Sequence, residues 1–130
     1  MTQLRIGQVA GLLGVSDDTV RRWVEAGRLP AGTDAAGRRV VDGADLAAFV
    51  REQQRPSLAD TGRGSARNRL PGIVTEVVRE GVMAQVEIQA GPFRLVSLMT
   101  REAADELGLE PGTVAAAVVK ATTVVVELAP

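Results

Sequence analysis

The sequence predicts an α+β fold in two parts: a mostly helical N-terminal part, and a C-terminal part of five short strands with one short helix. Two observations predict it. From Ile6 to Val50 apolar residues recur at helical spacing, whereas from Ile73 to Leu128 the apolar segments are short, valine-rich and separated by glycines and prolines. Between them, Arg55 to Gly64 reads Arg-Pro-Ser-Leu-Ala-Asp-Thr-Gly-Arg-Gly, poor in large apolar side chains and rich in turn formers, as expected of a connector. The expected division is therefore a first domain over 1–55, a linker over 56–64 and a second domain over 65–130.

In the first part, Ile6, Val9, Ala10, Leu12 and Leu13 mark one face of a short helix that Gly14 stops. Ser16 is a good N-cap for a second helix, whose apolar face continues in Val20, Trp23 and Val24. Helix, glycine turn and helix, with the small Ala10 at the crossing, is helix-turn-helix geometry. In such a unit the N-terminal end of the second helix faces the bases. This makes Ser16, Asp17, Thr19, Arg21 and Arg22 candidate DNA contacts, the hydroxyls toward phosphate. Trp23 reads as core rather than contact. Gly27-Arg28-Leu29-Pro30, a polar turn and Gly37-Arg38-Arg39-Val40-Val41 then read as a β-hairpin wing, with Arg38 and Arg39 placed for backbone phosphate. Asp42 caps a third helix through Ala44, Leu46, Phe49 and Val50.

In the second part the expected strands are Leu70 to Val78, Val82 to Ile88, Phe93 to Leu98, Val114 to Val119 and Thr123 to Leu128. A short helix near Glu102 to Leu107 precedes the fourth, and Gly108 ends it. Five short strands and one helix suit a small OB-like barrel. Lys120, the only lysine in the chain, interrupts a valine- and alanine-rich run. Buried there, its ammonium needs an anionic partner; at a strand end it reaches water. Ser65-Ala66-Arg67-Asn68 sets an arginine beside a hydroxyl, and Thr100 caps the short helix, whose first-turn N–H groups favour anions.

Composition bounds the chemistry. The 130 residues contain no cysteine and no histidine, which removes disulfides, thiol nucleophiles, imidazole bases and the usual zinc ligands. No nucleophile or acid–base set can be assembled, so an enzyme is not expected. Net charge is −1, so any DNA contact depends on local arginine clustering. No signal core or spanning run is visible, and a cytoplasmic, soluble protein is expected.

The first part resembles the winged helix-turn-helix of the MerR superfamily, particularly its excisionase-like branch. The likeness is carried by Ile6, Ala10, Leu13, Gly14, Val15, Ser16, Thr19, Val20, Arg21, Arg22, Trp23, Gly27, Leu29, Pro30, Arg38 and Arg39. The second part resembles the Mop (TOBE-like) domain of molybdate-binding proteins. It shares the Ser65-Ala66-Arg67-Asn68 opening, Gly72-Ile73-Val74, the segment Met99 to Leu109 and Lys120-Ala121-Thr122. This resemblance implies oxyanion ligands at Ser65, Arg67, Thr100 and Lys120, with the backbone N–H of Ala121 as a further donor. Where the family often has a serine, this chain has Ala103, which removes a hydroxyl or leaves that contact to the backbone N–H. The resemblance also implies oxyanion sites at contacts between domains, hence a homodimer or a higher oligomer, with a hexamer as one expected form. The implied partners are double-stranded DNA, molybdate or tungstate and further copies of the chain. No membrane, covalent cofactor or metal ion other than molybdenum as oxyanion is expected. Three functions stay open: molybdate- or tungstate-responsive transcription control, a DNA-binding regulator whose barrel only oligomerises, and molybdate storage.

Overall fold

The computed structural model describes residues 2–53 and 64–129, and the chain forms two compact units. Of the expected linker at 56–64, all but Gly64 lies outside the described residues.

In the N-terminal unit, strand β1 (Gln3–Arg5) leads directly into helix α1 (Ile6–Leu13). The Arg5 N–H donates to Gln8 Oε1 at 2.9 Å at the helix start, and Gly14 ends the helix in the left-handed region, φ 67°. Ser16 then caps α2 (Asp17–Glu25) as its sequence position predicts: its Oγ accepts from the Thr19 N–H at 3.2 Å. Strands β2 (Gly32–Thr33) and β3 (Arg39–Asp42) are the arms of the wing. Helix α3 (Gly43–Gln53) follows, with Asp42 Oδ1 accepting from the Ala44 N–H at 2.8 Å. The element that the sequence does not announce is β1. It pairs antiparallel with β3, Leu4 opposite Val41, to give a three-stranded sheet in the order β1-β3-β2. Ile6, Val9 and Ala10 of α1, Val20 of α2, Leu29, Val41, and Leu46 and Phe49 of α3 form the core. Trp23 packs against it half-buried, its ring 4.9 Å from that of Phe49 and tilted.

The C-terminal unit holds β4 (Asn68–Glu80), β5 (Met83–Ala90), β6 (Phe93–Thr100), α4 (Arg101–Glu106) and β7 (Val114–Val119). Its antiparallel sheet runs β6-β5-β4-β7. The expected fifth strand over Thr123–Leu128 does not form, and the sheet is open rather than closed into a barrel. After β7 a 3₁₀ turn, Ala121–Thr123, draws the N–H and Oγ1 of Thr123 onto the Lys120 carbonyl at 3.0 and 2.8 Å. Val124 to Ala129 take no regular structure. The physical reason is that β propensity measures fit to a pleated surface, whereas a strand also needs an edge to pair with. This segment pairs with neither open edge of the sheet: Val125, Val126 and Leu128 are 84%, 87% and 98% exposed.

Strand β4 organises this unit. Its residues from Asn68 to Ile73 pair with β7, and those from Ile73 to Glu80 pair with β5. It bends where the partners change. A Cβ at Gly72 would lie 2.3 Å from the Gln89 carbonyl oxygen, and the register shifts between Val74 and Glu76. Alternate residues of β5, Ala84, Val86, Ile88 and Ala90, are buried, and Val86 and Ile88 cluster with Val74 and Leu109. Arg79 on β4 anchors α4 by donating from Nε to Asp105 Oδ1 at 2.9 Å and from Nη2 to the Leu109 carbonyl at 3.1 Å. Among the described residues no helix is long and apolar enough to cross a membrane.

Candidate functional site

The predicted DNA contacts fall on one helix and one hairpin, and the structure sorts them by what they already bind. Ser16 Oγ and Thr19 Oγ1 lie 2.9 Å apart, and Thr19 Oγ1 also accepts from Arg22 Nη2 at 3.4 Å. These two hydroxyls therefore serve the start of α2 itself. Arg21 Nη1 is 3.1 Å from Asp18 Oδ1, an exposed i,i+3 pair on the same helix. In the wing, Asp34 Oδ1 accepts from the N–H groups of Ala36 and Arg38, each at 2.9 Å, and Oδ2 from Arg38 Nε at 3.1 Å. The Arg38 N–H, then the Ala36 N–H and the Arg38 charge, hold the Asp34 carboxyl below the ordinary carboxylate value. Arg38 thus shapes the turn, whereas Arg39 is exposed on β3 with no carboxylate within ion-pair distance among the described residues.

Asp17, Arg21, Arg38 and Arg39 line one recess of about 390 Å³, together with Ile6, Gly7, Val24, Glu25 and a residue not singled out in the sequence, Arg5. Thr19 and Arg22 line a separate recess with Trp23, Ala26 and Arg28. The guanidinium of Arg28 sits 5.9 Å over the Phe49 ring. Arg5 escapes sequence reading because what brings it here is the pairing of β1 with β3, Arg5 opposite Val40, across more than thirty residues of chain.

The predicted oxyanion donors form two groups. The first gathers where β4 begins and β7 ends. Asn68 pairs with Val119, and Asn68 Nδ2 donates to the Val119 carbonyl at 3.0 Å, so Ser65 and Arg67 before β4 lie beside Lys120 and Ala121 after β7. Ser65, Arg67 and Lys120 are exposed, and Arg67 Nη1 donates to the Gly64 carbonyl at 3.1 Å. Lys120 is therefore not the buried ammonium that its apolar run suggests; it stands at a strand end in water.

The second group is at the start of α4. Thr100 is its N-cap, and Thr100 Oγ1 accepts from the Ala103 N–H at 3.1 Å. The backbone N–H that would replace the missing hydroxyl at Ala103 is thus already engaged. Register places this group far from the first: Thr100 pairs with Met83, and Met83 with Glu80, at the opposite end of β4 from Asn68. The twelve residue steps between Asn68 and Glu80 span at most roughly 40 Å at ~3.3 Å each, less the bend at Gly72. One chain does not bring the two groups together. Among the described residues no cluster of carboxylates could hold a metal ion.

Comparison with known proteins divides the chain in the same way. Residues 4–54 match the model of a helix-turn-helix domain, and residues 64–126 match that of the TOBE domain. A molybdate-binding protein from Sporomusa ovata is 34% identical, with a TM-score of 0.50 over 52% of this chain and 100% of its own. MopII from Clostridium pasteurianum is 35% identical over 49% of this chain and 97% of its own, TM-score 0.47. The cytoplasmic molybdate-binding protein ModG is 43% identical over 46% of this chain and 43% of its own, TM-score 0.44. No curated protein matches. The four-stranded sheet with α4 before its last strand and the capped α1–α2 pair agree with these assignments. The chain belongs to the TOBE/Mop domain family, as a fusion of that domain with an N-terminal helix-turn-helix domain.

Proposed function

We propose that this protein is a cytoplasmic DNA-binding transcriptional regulator that responds to molybdate or tungstate. In this reading, residues 1–55 bind operator DNA and residues 65–130 bind the oxyanion and assemble the chain. The observation that carries it is the division of the predicted anion donors between opposite ends of β4 in a chain that also holds a helix-turn-helix unit. Ser65, Arg67, Lys120 and the Ala121 N–H at one end supply two cations and neutral donors. Thr100 and the first turn of α4 at the other supply a hydroxyl and helix N–H groups. A tetrahedral dianion completes its shell only if the first half-site of one copy meets the second half-site of another. Ligand then stabilises assembly by mass action, and assembly sets the distance between two helix-turn-helix units, so DNA affinity follows oxyanion concentration.

The exposed apolar surface of the C-terminal unit supports assembly. Val82, Phe93, Leu98, Val114 and the tail from Val124 to Leu128 are open to water, and contact with another copy would bury them. Among the described residues the sheet edges at β6 and β7 are likewise unpaired.

Titration calorimetry with molybdate, tungstate and sulfate tests the binding step. Heat with the first two, at a stoichiometry set by pairs of copies and lost in Lys120→Ala, is the expected result; absence of heat with all three contradicts it. One observation favours a second reading, in which the TOBE domain only oligomerises a DNA-binding regulator. The side chain at Ala103 lacks a hydroxyl, and its N–H already serves Thr100. On that reading Lys120→Ala leaves regulation unchanged.

A further inference from the structure

The recess of about 390 Å³ in the N-terminal unit draws arginines from three elements: Arg5 from β1, Arg21 from α2, and Arg38 and Arg39 from the wing. Asp17 and Glu25 line it too, so four cations face two carboxylates. Two of the arginines have partners of their own, Arg21 with Asp18 and Arg38 with Asp34, each at 3.1 Å. Arg5 and Arg39 are exposed and enter no ion pair among the described residues. They meet only at the recess: Arg5, at the end of β1, and Arg39, at the start of β3, both line it. Two unpaired guanidinium groups that open on one recess repel, and an anion in the recess removes that cost while gaining charge-assisted hydrogen bonds.

We infer that this recess seats one phosphodiester group of a DNA strand passing between α2 and the wing, with Arg5 and Arg39 as its donors. The inference rests on the DNA-binding reading above and adds a contact from outside the helix-turn-helix and the wing. A diester carries one negative charge, which suits a recess where Asp17 and Glu25 stand against a free dianion. The recess also opens between α2 and the wing, the two elements that approach one duplex together.

The test is fluorescence anisotropy of the full chain with two labelled DNA duplexes of unrelated sequence, over a salt series. Arg5→Gln is expected to weaken both duplexes equally, by roughly fivefold near ~0.15 M salt, and to flatten the slope of log K against log salt by about 0.9. Glu25→Gln is expected to tighten both. Arg5→Lys, which keeps the charge, is expected to keep the slope and so separates charge from any effect on β1. Wild-type affinity and slope in Arg5→Gln overturn the inference and leave DNA binding standing. Weakening on only one duplex makes Arg5 a base contact and overturns it too. Failure of the unsubstituted chain to bind either duplex overturns both readings. Inorganic phosphate binding that depends on Arg5 while DNA binding does not would assign the recess to a free anion instead.

Discussion

On the proposed function, substitutions at Lys120 and Ala103 shift oxyanion binding in opposite directions, and neither position is fully buried. Lys120 is exposed at the end of β7, and Ala103 is a half-buried residue in the first turn of α4. Hydrogen bonds to charged groups contribute about 1.5–3 kcal/mol, so Lys120→Ala is expected to weaken molybdate binding by roughly 10- to 100-fold with unchanged thermal unfolding. Ala103→Ser adds a hydroxyl donor and is expected to tighten binding by about fivefold, for a neutral hydrogen bond of about 1 kcal/mol. Calorimetry on the two variants reads both effects. In the wing, Asp34 accepts three hydrogen bonds that require its ionised form. Its folded pKa is depressed, so the stabilisation is present above the ordinary carboxylate value of 3.8 and is lost as pH falls through the lower folded value. An NMR titration of the Ala36 and Arg38 amides is expected to show a midpoint below 3.8. Lys120 also shows why residue-level reading fails in part: its neighbours in sequence are apolar, but burial is decided by where β7 stops.

At the scale of elements, β4 decides the geometry of the C-terminal unit because it serves two partners and bends between them. Any side chain at Gly72 meets the backbone carbonyl of Gln89, which belongs to a paired strand and cannot move aside. Gly72→Ala is expected to destabilise this unit by about 3 kcal/mol or more, seen as a lowered denaturation midpoint with the N-terminal unit unaffected. The elements legible in the sequence are those specified locally. Gly14 and Ser16 punctuate α1 and α2 through their own conformation and side chain, and Asp42 does the same for α3. Strands β5 and β6 show through their alternation and turns. What was not legible depends on distant pairing. Three residues, Gln3–Arg5, carry no period and become β1 only against β3. Thr123–Leu128 has the composition of a strand but pairs with neither open edge of the sheet. The expected oxyanion donors are named by residue type and motif, but their separation to opposite ends of β4 follows from its register, which no local signal encodes.

For the whole molecule, the C-terminal unit has a small core and a large exposed apolar surface. Val74, Val86, Ile88 and Leu109 are its clustered buried residues, while Val125, Val126 and Leu128 lie almost fully in water. A domain of about 60 residues is near the lower limit for stability alone, so burial of such residues against another copy stabilises fold and assembly together. Replacing Val125 and Val126 by Asp is expected to reduce the oligomer, measured by light scattering or sedimentation, and with it molybdate binding. Retention of the full oligomer would show that the tail takes no part in assembly.

The central claim is that oxyanion occupancy and DNA affinity are linked through assembly. The most direct measurement is the affinity of the full chain for a DNA sequence selected from a random pool, determined with no oxyanion and with saturating molybdate. The account predicts a change of about 5- to 150-fold, the usual range of coupling between sites, absent in Lys120→Ala. Equal affinity in the two conditions, for a chain that binds molybdate by calorimetry, is the opposite result.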